Sequence, residues 1–155
     1  MQEQDILRVL QNSKFCHNLA PEHLSKVASL CSEMDLDAGE WVFKQGDVGE
    51  HLYIIMDGYV HLERAMTVGE REGHITIDTL GRGRTLGCWS ALLGEPHVLM
   101  SGAICDKPSR LLKIKGTDMR SMMTADIQFG FDLMERLCFL LRDRIQAAYG
   151  AMDRF

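Results

Sequence analysis

Between Met34 and Leu112 the chain is interrupted by eleven glycines, at positions 39, 46, 49, 58, 69, 73, 81, 83, 87, 94 and 102. The apolar runs left between them are short: Val42-Phe43, Leu52–Met56, Val60–Leu62, Ile75–Ile77 and Leu111–Ile114. Such runs, bounded by glycine-containing turns, read as β-strands. Many short strands with turns at close intervals point to a sandwich or barrel of the jelly-roll type.

Helical spacing flanks this region. Ile6, Leu7 and Leu10 place a short amphipathic helix over Gln4–Gln11. A second helix follows Pro21, whose missing N–H suits the first helical position, with Leu24, Val27, Ala28 and Cys31 on one face. After Lys115 a short helix is expected over Thr117–Met123, capped by Thr117 or Asp118. A longer helix runs from about Asp126 to near the end. Within it Met134, Cys138, Leu141, Ile145, Ala148 and Met152 recur at steps of four and three, a heptad seam that pairs two helices. Leu133, Leu137 and Leu140 form a second stripe, suited to packing on the strands, and a helix with two apolar faces needs two partners. The alternative is one wide stripe packed only within the chain. Three segments result: helical 1–33, a β core over 34–115, and C-terminal helices over 116–155 that include the dimer helix.

A length of 155 residues suits one domain with its own core. The net charge of −5 argues against nucleic-acid binding, which needs a basic face, and no Lys/Arg cluster supplies one. Cys16, Cys31, Cys88, Cys105 and Cys138 are scattered and form no C-x-x-C pair, so no metal site is assigned and a reducing, cytoplasmic setting is expected. The first eleven residues are too charged for a signal peptide, and no apolar run approaches a membrane span.

The stretch AGEWVFKQGDVGEHLYIIMDGYV, Ala38–Val60, resembles the first half of a cyclic-nucleotide-binding domain, whose pattern is A-G-E-x-I-F-x-Q-G-D-x-G-x-x-x-Y-I-I-x-x-G-x-V. The resemblance continues through Leu80-Gly81-Arg82-Gly83, Leu86-Gly87 and Ala91-Leu92-Leu93 to Leu111-Leu112-Lys113-Ile114. It implies the sensor fold of the catabolite activator protein and FNR-like regulators: a mainly β roll with N-terminal helices and a long C-terminal dimerisation helix. It also implies a pocket built on one loop-helix, the phosphate-binding cassette, here residues 86–98. In the family that cassette resembles F-G-E-x-A-L-x-x-x-x-x-R-A. Its backbone N–H groups meet the cyclic phosphate, its arginine forks onto the phosphate charge, and its glutamate receives the ribose 2′-hydroxyl.

Aligned without gaps, Cys88 stands at the glutamate position and His97 at the arginine position. Gly87, Cys88, Trp89, Ser90, Ala91, His97 and Val98 are then the ligand-binding candidates of a degenerate cassette. A hydrogen bond to a charged group contributes roughly 1.5–3 kcal/mol. Losing two such anchors costs about 3–6 kcal/mol, or roughly two to four powers of ten in affinity. A protonated His97 replaces the arginine only in part, because an ordinary histidine is mostly neutral at pH 7. Glu95, in the Gly94-Glu95-Pro96 turn, is the nearest other acid, and a solvated role is its default. Three alternatives stay open for the pocket: filling by side chains such as Trp89 and Met100, a different small ligand, or metal, haem or redox-thiol chemistry at Cys88 and His97.

The expected function is a non-catalytic regulatory or sensor domain in signal transduction, with a small-molecule ligand or a protein partner and no assigned cofactor. A sensor of cAMP or cGMP is the alternative, including the sensor part of a transcription regulator. No basic recognition helix follows the dimer helix in this sequence, so direct nucleic-acid binding is not expected. No H-x-H cluster, Gly-x-Ser-x-Gly elbow or P-loop suggests an enzyme.

Overall fold

Leu52–Met56 is buried at every position, so both faces of this strand meet protein. Side chains alternate across a strand. Tyr53 and Ile55 therefore enter one core, while Leu52, Ile54 and Met56 enter another. These two cores organise the computed structural model, which describes residues 2–87, 92–95 and 97–154.

Among the described residues, helices α1 (Glu3–Gln11) and α2 (Pro21–Ser29) precede the strands β1 (Cys31–Leu36), β2 (Trp41–Phe43), β3 (Val48–Gly49), β4 (His51–Asp57), β5 (Val60–Val68), β6 (Arg71–Leu80), β7 (Thr85–Gly87), β8 (His97–Val98), β9 (Gly102–Cys105) and β10 (Ser109–Lys115). Helices α3 (Gly116–Ala125) and α4 (Ile127–Met152) follow. One sheet runs β1-β10-β4-β7, a second β2-β9-β5-β6, and β3-β8 form a small ribbon, all antiparallel. The core between the two sheets takes Tyr53, Ile55, Leu86 and Leu111 from the first and Val60, Leu62, Leu80 and Ala103 from the second. The other core seats the helices on the first sheet: Leu24 and Val27 of α2, Met119 and Met123 of α3, and Phe129, Leu133, Leu137 and Leu140 of α4 meet Leu52, Ile54, Leu112 and Ile114. The antiparallel roll with flanking helices and a long C-terminal helix is the architecture expected from the sequence.

Two local expectations are corrected. Cys31 is not on α2, which ends at Ser29; it opens β1 opposite Ile114, where the β10 ladder takes up its backbone. Neither Thr117 nor Asp118 caps α3. The helix starts at Gly116, straight out of β10, and the Gly116 N–H donates to the Glu50 carbonyl at 2.9 Å, so no side-chain cap forms.

Asp126 does cap α4. Its Oδ1 accepts from the Phe129 N–H at 3.2 Å, and its Oδ2 lies 3.0 Å from His23 Nε2 and 3.8 Å from Lys26 Nζ. The Phe129 N–H holds the Asp126 carboxyl below its ordinary 3.8, against a smaller opposing effect of burial, and His23 and Lys26 add to the lowering. A depressed carboxyl contributes stability that is present above the unfolded value and lost as pH falls through the folded one. Asp126→Asn is therefore expected to lower the urea midpoint at pH 7, with the gap to the parent closing below about pH 4. A gap that persists unchanged in strong acid would show that the charge is not what matters.

Candidate functional site

The inner faces of the roll and the C-terminal half of α4 enclose a cavity of about 500 Å³, within the range of small-molecule sites. Phe43, Leu62, Ile75, Ile77, Leu86 and Leu99 form its roll side. Leu141, Ile145, Ala148 and Met152 close it from the helix. Met100, 65 % exposed, stands among the lining residues without filling the space.

Gly87, at the end of β7, brings the backbone to the wall. Its φ of +131° favours glycine, and a Cβ there would stand 2.4 Å from the His51 carbonyl oxygen and 3.0 Å from Leu52 Cα. Only glycine lets β7 lie this close to β4 at this position.

Gly87 and His97, 10 residues apart in sequence, both line the cavity. Val98 does not: it is 55 % exposed and pairs with Val48 in the β3-β8 ribbon. Glu95 is exposed and is not part of the lining. Cys88, Trp89, Ser90 and Ala91 lie outside the described residues, and so does any pairing of Cys88 with His97. The six seam residues of α4 are divided. Leu141, Ile145, Ala148 and Met152 face the cavity, Met134 and Leu141 pack on the helical core, and Cys138 is exposed. Beyond the packed stripe, Phe131, Cys138, Ile145 and Met152 form an exposed row at seven-residue steps.

Sequence reasoning missed Arg64 and Arg144, both in the lining. Arg144 Nη2 donates to the Thr85 carbonyl at 2.7 Å, tying α4 to β7 one residue from Leu86. Its signal was an arginine on the apolar side of a helix, three and four residues after Leu141 and Leu140 and four before Ala148. Elsewhere on α4, Arg136 donates to the carbonyls of Phe15 and His17, and Asp143 pairs with Lys14 at 3.0 Å. These contacts fasten the helix to the N-terminal segment as well as to the roll.

Comparison with known proteins agrees with this architecture. The cyclic nucleotide-binding domain family model matches residues 33–126. The cyclic AMP receptor protein of Thermus thermophilus is 32 % identical over 117 residues, covering 76 % of this chain and 48 % of that protein. The chain thus spans about half the length of that curated relative. The crystal structure of the Thermus thermophilus catabolite activator protein superposes with a TM-score of 0.70 at 28 % identity, over 91 % of this chain and 62 % of that one. A cyclic nucleotide-binding domain from Methylobacillus flagellatus reaches 0.77 at 17 % identity, over 96 % and 80 %, and shows the fold alone. With the roll and its helix-capped cavity in place and the family model spanning more than half of its length, the chain belongs to the cyclic nucleotide-binding domain family.

Proposed function

We propose that this chain is a non-catalytic sensor domain in signal transduction, that it dimerises through α4, and that its roll cavity takes a small ligand other than tightly bound cAMP or cGMP. The observation that carries the reading is the cavity wall itself. His97 stands where the family's arginine is expected, and no described lining residue is a carboxylate able to receive a ribose hydroxyl. The walls are otherwise mostly apolar. Calorimetric titration with cAMP and cGMP at pH 7.5 and 5.8 tests it, and no micromolar binding is expected at pH 7.5. Binding that appears only at pH 5.8 would identify protonated His97 as a substitute anchor. Micromolar binding at both would favour the second reading, a cyclic-nucleotide sensor, the sensor part of a transcription regulator included. The similarity to the Thermus cyclic AMP receptor protein supports that reading.

The exposed row on α4 supports dimerisation. Sedimentation equilibrium is expected to give twice the 17.5 kDa chain mass. In a parallel pair the two copies of Cys138 would meet across the seam. Cys138 is the exposed thiol of the four described. Burial pushes Cys16 up to about 11 and Cys31 up to about 12, and raises Cys105 as well, which disfavours their reactive thiolates. In a Cys88→Ser background, mild oxidation should yield a covalent dimer that Cys138→Ser abolishes. A monomer at all concentrations tested would remove the dimer from the proposal. Among the described residues no helix is long and apolar enough to cross a membrane. The free thiols support a cytoplasmic setting.

A further inference from the structure

Arg64, Arg144 and His97 are the ionisable side chains described at the cavity wall. Both arginines are engaged within the protein. Arg64 Nη1 donates to the Met100 carbonyl, and Arg144 Nη2 donates to the Thr85 carbonyl at 2.7 Å, with Asp78 Oδ2 4.0 Å from its Nη1. An acid placed here would compete with acceptors these groups already hold, after shedding its own water among apolar side chains. A cation would face two guanidinium groups and find no lining carboxylate among the described residues. The side chains at positions 88–91 and 96 are those of Cys, Trp, Ser, Ala and Pro, which supply none either. Neither sign of charge therefore meets a permanent, unengaged counter-charge.

The polar side chains that remain are His97 and Ser101, which make no side-chain hydrogen bond or ion pair among the described residues. The rest of the wall is mostly apolar, with Phe43, Leu62, Ile75, Leu86 and Leu99 on the roll side. Water in a space so lined has few partners, and an apolar body that displaces it leaves little unsatisfied. An uncharged imidazole both donates and accepts, so His97 can pair with one hydroxyl or carbonyl group. We propose that the cavity binds a neutral, mainly apolar molecule with one such group turned to His97. The proposal rests on the cavity being a ligand site and adds the chemistry of the ligand.

The whole chain is titrated calorimetrically at pH 7.5 with three probes that share one flat body: 2-naphthylmethanol, 2-naphthoate and 2-naphthylmethylammonium. The alcohol is expected to bind about 5- to 150-fold more tightly than either ion, the range for leaving a buried polar group unpaired. His97→Leu should weaken the alcohol by about 2- to 12-fold, the loss of one hydrogen bond. The same variant should leave the binding of 2-methylnaphthalene, followed by its fluorescence, unchanged. Ala148→Trp should fill the cavity and block both neutral probes. The comparison of alcohol with the two ions in the parent protein needs no variant, so it stands even if His97→Leu folds poorly. Equal or tighter binding of the acid or the amine, alcohol binding that His97→Leu leaves unchanged, or binding that survives Ala148→Trp would overturn the proposal. Failure of every probe would also overturn it. If cAMP then bound at micromolar concentration, the reading of a changed ligand would fall with it; if cAMP did not bind, that reading would survive alone.

Discussion

Alanine at Gly87 is expected to destabilise the domain by about 2–6 kcal/mol, from positive-φ strain and backbone overpacking together. For a chain of this size that corresponds to a fall of roughly 4–24 °C in Tm. The new Cβ would stand 2.4 Å from the main-chain oxygen of His51 in β4, a residue that the ladder pairs with Lys115 of β10. Relief requires β7 to move off β4, opening the Leu52–Gly87 pairing and shifting Leu86 at the cavity wall. Gly94→Ala is the internal control: its φ is +82°, but a Cβ there meets nothing within 4 Å. Thermal melts of both variants separate the contact from the dihedral strain. Equal losses would mean that β7 yields without cost and that the close approach to β4 is not what requires glycine.

Phe129→Ala is expected to cost about 3–5 kcal/mol, the range for deleting a fully buried aromatic side chain, or roughly 6–20 °C in Tm. Phe129 is completely buried where α2, α3 and α4 meet the first sheet, and its ring meets His23 edge-on at 4.9 Å between centroids. Phe131, two residues on, is 69 % exposed. Phe131→Ala should change the melt of dilute protein by no more than about 0.5 kcal/mol while weakening self-association. Urea unfolding followed by helical circular dichroism checks the first, and sedimentation the second. A small loss at Phe129 would show that the helices close over the vacated space.

The contrast between these two phenylalanines also marks the limit of what could be read from sequence. Periodicity placed two apolar stripes on the last helix and identified Leu133, Leu137 and Leu140 as the packed one. It could not say what the other stripe faces, because a helix covers a cavity and a second helix with the same spacing. Leu141, Ile145, Ala148 and Met152 fit the seam pattern, and the fold also sets them over the roll. Strands β2, β4 and β10 and the inner parts of β5 and β6 were legible because glycine turns isolate their apolar runs, whereas β3, β7, β8 and β9 are two to four residues long and carry too few apolar residues to stand out. Strand β1, with sequence CSEMDL, was not legible either: it is an edge strand held mainly by its ladder to β10, and Leu36 is its one buried residue. The outer halves of β5 and β6 were missed for a related reason. They form a polar hairpin around Gly69, and their regularity comes from backbone pairing. The family pattern singled out Gly87 and His97, which line the cavity, while Arg64 and Arg144 line it from segments far apart in the chain that only the closed roll brings together.

Helix α4 is in contact along its side with the space it covers, and that gives it a mechanical property. At 1.5 Å per residue its 26 residues form a rod of about 39 Å. Gly130 packs so tightly on the end of α3 that a Cβ would stand 2.6 Å from the Met123 carbonyl oxygen, which makes this crossing a natural fulcrum. Leu141 lies about 17 Å along the rod from that point and Met152 about 33 Å. A tilt that displaced the helix at Leu141 would move Met152 about twice as far, so the contacts at the far end, from Arg144 to the Thr85 carbonyl and from Arg154 to the Thr76 carbonyl, resist it on the longest arm.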